Sequence, residues 1–117
     1  MRLAVIADVH GNLRALEAVQ SDLKRHAADC VVNLGDHLSG PLQARETAEA
    51  LMAANYLSIR GNHDRELVKT APERMGQSDA AAYAQLSKTH LDWLATHPST
   101  MRIADDILLC HGTPASD

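Results

Sequence analysis

The sequence has 117 residues and a mass of 12.7 kDa, which predicts one domain over residues 1–117. Aromatic residues make up 3% of the chain, so no aromatic platform for single-stranded nucleic acid is expected. The 11 Lys and Arg against 15 Asp and Glu give a net charge of −4, which argues against binding to duplex nucleic acid or a membrane surface. Cys30 and Cys110 lie in apolar runs and no secretory signal is recognisable, which together favour a cytoplasmic protein.

Strands and helices alternate from the first residues. The short β-branched apolar run over 3–7 predicts a strand buried on both faces. Asn12 is expected to cap a helix that carries Leu13, Leu16 and Leu23 on one side. The next predicted elements are a strand over 30–34, a helix with an apolar stripe over 44–52, and a strand over 56–59.

The second half of the chain has a weaker pattern. Residues 66–78 contain Pro72 and Gly76 with little periodicity, so a loop with at most one helical turn is expected. A single helix is predicted over 79–96, and the Asp105-Asp106 pair predicts a hairpin between strands at 100–104 and 107–110. The alternation favours an α/β fold with a largely parallel sheet.

Polar residues follow each predicted strand at its carboxyl end. They are Asp8 and His10, Gly35-Asp36, Gly61-Asn62-His63-Asp64, and His111-Gly112. Because parallel strands bring these ends to one edge of a sheet, the segments are expected to meet there. Their oxygen and nitrogen ligands, without a thiolate, suit Mn, Fe or Zn. Taken singly, an Asp or His after a strand is more often a loop cap than a ligand; the four segments together favour a site.

The spacing of these residues suggests their chemistry. In an extended segment Asp8 and His10 point the same way and can hold one ion. The Asp36 carboxylate can give one oxygen to each of two ions, which can activate water for displacement at phosphorus. His63 beside Asp64 suggests an imidazole held by a carboxylate and able to protonate a leaving oxygen.

The motifs and their order resemble the calcineurin-like metallophosphoesterases over nearly the whole chain, with details of the bacterial phosphodiesterase-like branch. The resemblance implies an αββα sandwich with a two-metal centre between the sheets. It assigns Asp8, His10 and Asp36 to the first ion, and Asp36, Asn62 and His111 to the second. It also implies that His63 is the leaving-group acid, Asp64 its orienting partner and Arg60 a phosphate contact.

One family feature is missing from this sequence. The Gly-His-x-His segment, which supplies one more histidine to each ion, does not occur. The second sheet is therefore expected to be incomplete, and the chain to be the N-terminal part of a longer phosphoesterase or a form that pairs with another copy.

The resemblance implies hydrolysis of a small phosphodiester or phosphomonoester, nucleotides included, by a metal-bound hydroxide. Two alternatives remain open from the sequence. A catalytically inactive metal-binding or assembly module would keep the strand-end residues without the closing histidines, and a serine/threonine phosphatase would act on phosphoproteins.

Overall fold

The computed structural model describes all 117 residues. Strands β1 (Leu3–Ile6), β2 (Cys30–Asn33) and β3 (Leu57–Ser58) form a parallel sheet with β2 at its centre. Their register places Val5 beside Val32 and Val32 beside Leu57. The predicted parallel arrangement is confirmed, although the third strand is two residues long instead of four.

The helices bury the larger core. They are α1 (Leu13–Leu23), α2 (Ala44–Ala54), α3 (Asn62–Lys69), α4 (Gln77–Tyr83) and α5 (Lys88–Ala95), with a 3₁₀ turn at Pro72–Arg74. Leu16, Leu38, Leu51, Leu67 and Leu94 are buried in one apolar cluster among them. Asn12 caps α1 as expected, since its Oδ1 accepts a hydrogen bond from the Ala15 backbone at 3.1 Å. No helix is both long enough and apolar enough to cross a bilayer.

A hairpin forms the second sheet. Strands β4 (Thr100–Ala104) and β5 (Ile107–Cys110) pair antiparallel around Asp105-Asp106, which confirms that prediction. Leu109 of the hairpin packs against Val32 and Ile59 in a second, smaller apolar cluster. The second layer therefore consists of two strands, which agrees with the expected incomplete sheet.

The prediction that the first strand is buried on both faces is wrong. Val5 remains 54% exposed and Leu57 45% exposed, whereas Val32 between them is fully buried. The reason is the width of the hairpin, which covers the central strand and leaves the two edge strands open to solvent.

Two boundaries in the second half also differ from prediction. The expected loop over 66–78 begins inside α3 and ends inside α4, and the expected helix over 79–96 is divided into α4 and α5. Ser87 explains the division, because its Oγ accepts from the His90 backbone at 3.4 Å and its own N–H donates to His90 Nδ1 at 3.0 Å. This reciprocal cap starts a new helix instead of continuing the old one.

Candidate metal centre

Backbone hydrogen bonds hold the loops after β1 and β2 together. The N–H groups of Asp8 and His10 donate to the carbonyl oxygens of Gly35 and Asp36, each at 3.0 Å. Asp8, His10 and Asp36 all adopt left-handed conformations, with φ of 56°, 50° and 56°. The expectation of an extended segment from Asp8 to His10 is therefore wrong. The two side chains converge because the loop curls against its neighbour, in a backbone geometry that is costly for ordinary residues.

Three side chains at this edge converge on one point. His10 Nε2 lies 3.6 Å from Asp8 Oδ1 and 3.6 Å from Asp36 Oδ2. One ligand atom from each of the three residues lies within 4.8 Å of the others. Two ligands about 2.1 Å from a tetrahedral ion are separated by about 3.4 Å. The spacing of these donor atoms therefore fits a shared cation.

His111 approaches the same carboxylate from the hairpin side. Its Nε2 lies 3.5 Å from Asp36 Oδ2 and 3.1 Å from Asn62 Oδ1. Asp36 Oδ2 thus faces two histidines at nearly equal distances, so one oxygen faces both sides rather than one oxygen each as expected. The segments after β1, β2, β3 and β5 meet as expected, although Asn62 is the first residue of α3 rather than part of a loop.

The tautomers of these two histidines also favour a cation. His10 Nδ1 lies 2.9 Å from the Ser39 carbonyl and His111 Nδ1 lies 2.7 Å from the Leu34 carbonyl. A carbonyl only accepts, so both Nδ1 atoms must carry the proton. In the neutral rings the unprotonated Nε2 atoms then face the oxygens of Asp36. Carbonyl groups fix the ligating histidines of metal sites in this way.

Asp36 is buried at the centre of the cluster, with 3% of its surface exposed. Burial, together with the charge of Asp64, raises its pKa above 3.8, against the lowering effect of the His63 backbone N–H. That N–H donates to Asp36 Oδ1 at 3.0 Å and leaves Oδ2 to face the histidines. Gly61 permits this approach, since a Cβ there would overlap the Asp36 carboxylate.

The structure does not place Asp64 beside the His63 ring. Its fully buried carboxylate instead accepts hydrogen bonds from the backbones of Asp36, His37 and Gly61, at 2.8, 3.0 and 2.8 Å. The expectation that Asp64 orients His63 is therefore wrong. A side chain at this position reaches back to the start of its own helix, so Asp64 caps α3 and secures the Asp36 loop.

The carboxylate that contacts His63 belongs to Asp79 on α4. Asp79 Oδ1 accepts from His63 Nδ1 at 2.9 Å and from Ser39 Oγ at 2.7 Å. Burial lowers the pKa of His63, but the hydrogen bond and charge of Asp79 outweigh it, and the net pKa lies above 6.5. Sequence reasoning missed Asp79 because it lies 16 residues from His63, in no motif, at the start of a predicted helix.

Arg60 and His37 lie apart from this arrangement. The Nε atom of Arg60 is buried without a hydrogen-bond partner, and the side chain forms no ion pair. Its contact with phosphate stays a prediction. His37 is fully buried against Trp93 and His97, so its side chain is open neither to a substrate nor to solvent.

A cavity of about 400 Å³ adjoins the cluster. Its lining includes His10 and His63 together with Pro41 and Leu42, and contains no lysine or arginine. A larger cavity of about 720 Å³ lies between α1 and α2, away from the cluster, and its lining is mainly apolar.

The fold and the cluster together define an α/β protein with a metal-binding edge. The family model for calcineurin-like phosphoesterases matches residues 1–116, and the chain belongs to that family.

This chain is similar to parts of longer proteins and spans half or less of the length of each one. A metallophosphoesterase from Sphaerobacter thermophilus superposes with a TM-score of 0.73 and 34% identity, covering 90% of this chain and 44% of its own. A protein described as a "putative diadenosine tetraphosphatase" superposes with a TM-score of 0.76 over 96% of this chain and 50% of its own; at 23% identity it shows the fold alone. The uncharacterized protein MJ0912 of Methanocaldococcus jannaschii is 40% identical over 62 residues, which are 53% of this chain and 26% of that protein.

Proposed function

We propose that the chain hydrolyses phosphate esters at two divalent cations. The cations would be held by the strand-end cluster, which consists of Asp8, His10, Asp36, Asn62 and His111. The observation that carries this proposal is the convergence of two histidine Nε2 atoms on Asp36 Oδ2, at 3.6 and 3.5 Å. Nitrogen and oxygen acceptors facing one another at this distance repel unless a cation or proton lies between them. Family membership supports the cation.

The residues divide between the two ions as the resemblance implies. Asp8, His10 and Asp36 would hold the first ion, and Asp36, Asn62 and His111 the second. The donor set of carboxylate, imidazole and amide suits Mn, Fe or Zn. When bound, the ions would supply Lewis-acid activation of water and neutralise charge on the phosphoryl oxygens.

His63 would donate the proton that the leaving group requires. Its Nδ1–H is held by Asp79, and its Nε2 has no hydrogen-bond partner in the protein. The side chain is 37% exposed and lines the 400 Å³ cavity. As the bond from phosphorus to the leaving oxygen breaks, Nε2–H gives its proton to that oxygen. The attacking water loses a proton to solvent, from which the imidazole recovers its own.

The same cavity supports a small substrate with an uncharged leaving group. The leaving group must lie on the side of its acid, and therefore beside His63 in the 400 Å³ cavity. Pro41 and Leu42 offer apolar contact there, and no lysine or arginine is present to meet a second phosphate. A phosphodiester or phosphomonoester, nucleotides included, fits this lining better than a polyphosphate.

The test compares leaving groups in the Mn²⁺-loaded protein. Wild type should hydrolyse both 4-nitrophenyl and phenyl phosphodiesters. His63→Ala should lower turnover of the phenyl ester about 100-fold and that of the nitrophenyl ester much less, because a good leaving group needs no acid. His26→Ala, in the exposed turn after α1, is the matched control and should change neither rate. Equal losses on both esters would remove the role of His63. Bound metal without turnover of either ester would favour an inactive binding module.

A further inference from the structure

The surroundings of His63 link three separate segments of the chain. His63 lies in the first turn of α3, Asp79 in the first turn of α4, and Ser39 in the loop after β2. Their polar atoms form a triangle: Nδ1 to Oδ1 at 2.9 Å, Oγ to Oδ1 at 2.7 Å, and Oγ to Nδ1 at 3.4 Å. Three segments must therefore fold together before the ring of His63 is fixed.

The burial of the partners shows that this contact is built into the fold. Asp79 is 7% exposed and Ser39 is 2% exposed, whereas the side chain of His63 is 37% exposed. A buried carboxylate is costly unless it is hydrogen-bonded to donors that compensate the lost solvent. Here the donors are the hydroxyl of Ser39 and the ring of His63. If Asp79 only capped α4, its carboxylate would not need to accept hydrogen bonds from both Ser39 Oγ and His63 Nδ1.

Ser39 also connects the two sides of the site. Its carbonyl accepts from His10 Nδ1 at 2.9 Å, while its hydroxyl donates to Asp79 at 2.7 Å. The rings of His10 and His63 are 5.6 Å apart in an edge-to-face arrangement. One residue thereby sets the orientation of a candidate metal ligand and, through Asp79, of the candidate acid.

We propose that Asp79 is the positioning residue of His63, and that Ser39 holds the carboxylate of Asp79 in place. This proposal rests on the hydrolytic function proposed above. Asp79 keeps the proton on Nδ1 and turns Nε2 toward the cavity. When Nε2–H passes to the leaving oxygen, Asp79 stays ionised and retains the Nδ1 hydrogen bond. No proton moves from His63 to Asp79.

The first test measures leaving-group dependence in the Mn²⁺-loaded protein. Asp79→Asn keeps the size of the side chain, but its amide can present N–H₂ to Nδ1 and so favour the wrong tautomer. We expect kcat for the phenyl phosphodiester to fall about 10- to 100-fold, as for other residues that orient a functional histidine. The nitrophenyl diester should lose less than about 3-fold. Equal losses on both esters, or none on the phenyl ester, would overturn the proposal.

Asp92→Asn is the matched control, because the Asp92 side chain is exposed on α5 and pairs only with Lys88. It should leave both rates and the melting temperature unchanged. The double variant His63→Ala/Asp79→Asn provides a second criterion. It should hydrolyse the phenyl ester no more slowly than His63→Ala, since Asp79 acts through His63. A further 10-fold loss in the double variant would show that Asp79 acts elsewhere.

A spectroscopic measurement tests the contact without relying on activity. In the Zn²⁺-loaded, ¹⁵N-histidine-labelled protein, the His63 signals are identified by their loss in His63→Ala. Wild type should show a protonated Nδ1 coupled to a slowly exchanging proton, and Asp79→Asn should lose it. Ser39→Ala should retain the signal with faster proton exchange. A wild-type His63 protonated on Nε2 alone would overturn the pairing. Metal-loaded wild type without esterase activity would contradict the proposed function instead, and this spectrum would still decide the contact.

Discussion

Two groups of histidines in this molecule differ in how their ring nitrogens are hydrogen-bonded. The strand-end histidines, His10, His63 and His111, each have one ring nitrogen fixed by a carbonyl or carboxylate and the other directed toward the site. The core histidines are His37, which is fully buried, and His97, which is half-buried; their rings pack at an angle against Trp93, with centroid distances of 5.4 and 4.6 Å. The Nδ1 atoms of His37 and His97 have no hydrogen-bond partner.

The difference lies in the environment of the imidazole rather than in the residue type. At the strand ends, backbone carbonyls fix the tautomers of His10 and His111 by accepting from Nδ1. The negatively charged carboxylate of Asp36 lies beside the Nε2 atoms of both rings. Around Trp93, burial followed by the neighbouring His37 lowers the pKa of His97 to about 4, so its ring is neutral at pH 7. Asp64 lies between the groups, since it holds the Asp36 loop and is 3.6 Å from His37 Nε2. One group surrounds the candidate metal site, and the other packs in the core.

The largest effect should come from the shared carboxylate. Asp36→Asn keeps the shape of the side chain but removes the charge that faces His10 and His111. Hydrolysis of a nitrophenyl phosphodiester should fall about 1,000-fold, equivalent to about 4 kcal/mol of transition-state stabilisation. Circular dichroism should show an unchanged fold. Turnover that survives in a well-folded variant would mean that Asp36 does not bridge two cations.

The next largest effect concerns the residue between the two groups. The Asp64 carboxylate accepts hydrogen bonds from three backbone N–H groups. Asp64→Asn would place an amide N–H₂, which is a donor, against some of these donors. The free energy of unfolding should fall by about 3 kcal/mol, because buried donors lose their acceptor. Urea denaturation measures this change. A loss below about 0.5 kcal/mol would show that the cap matters little to the fold.

The same substitution in each group separates their roles. His111→Gln should weaken Mn²⁺ binding about 10- to 100-fold, because Nε2 no longer faces Asp36. His97→Gln should leave Mn²⁺ affinity within about 2-fold and affect stability alone. Isothermal titration with MnCl₂ gives both values. Equal weakening by the two variants would remove the distinction between the groups.

A smaller effect should appear in the dependence of stability on pH. The folded-state pKa of His97 is about 4, below the ordinary value of 6.5, so the unfolded chain takes up the proton first. The stability contributed by neutral His97 is present above pH 6.5 and is lost as the pH falls toward 4. Between pH 7 and pH 5 wild type should lose about 1 kcal/mol more than His97→Gln, after allowance for the partial exposure of the ring. If the urea midpoints of the two proteins fall by the same amount between pH 7 and pH 5, His97 is not the source of this pH dependence.

Local signals made much of the fold predictable. The β-branched runs located β1 and β2, Asn12 located the start of α1, and Asp105-Asp106 located the hairpin. The division of residues 79–96 was not predictable from periodicity, because Ser87 and His90 cap each other through their side chains. The exposure of Val5 was missed for another reason. Burial depends on the width of the opposite sheet, which no strand encodes by itself.

The residues that gather at the candidate metal centre were predictable from the sequence, but the hydrogen-bond partner of His63 was not. Strand-end positions brought Asp8, His10, Asp36 and His111 together, because parallel strands share an edge. The partner of His63 was misassigned to Asp64, its neighbour in sequence. A residue at the start of a helix caps its own backbone more readily than it reaches the side chain beside it, so a remote carboxylate takes that place.

Locating the cation tests the central claim most directly. Crystals soaked in MnCl₂ and measured near the manganese absorption edge would show where ions bind. We expect anomalous peaks within about 2.3 Å of Asp36 Oδ2, one beside His10 and one beside His111. Absence of any peak at Asp36 in crystals that contain manganese elsewhere would contradict the account.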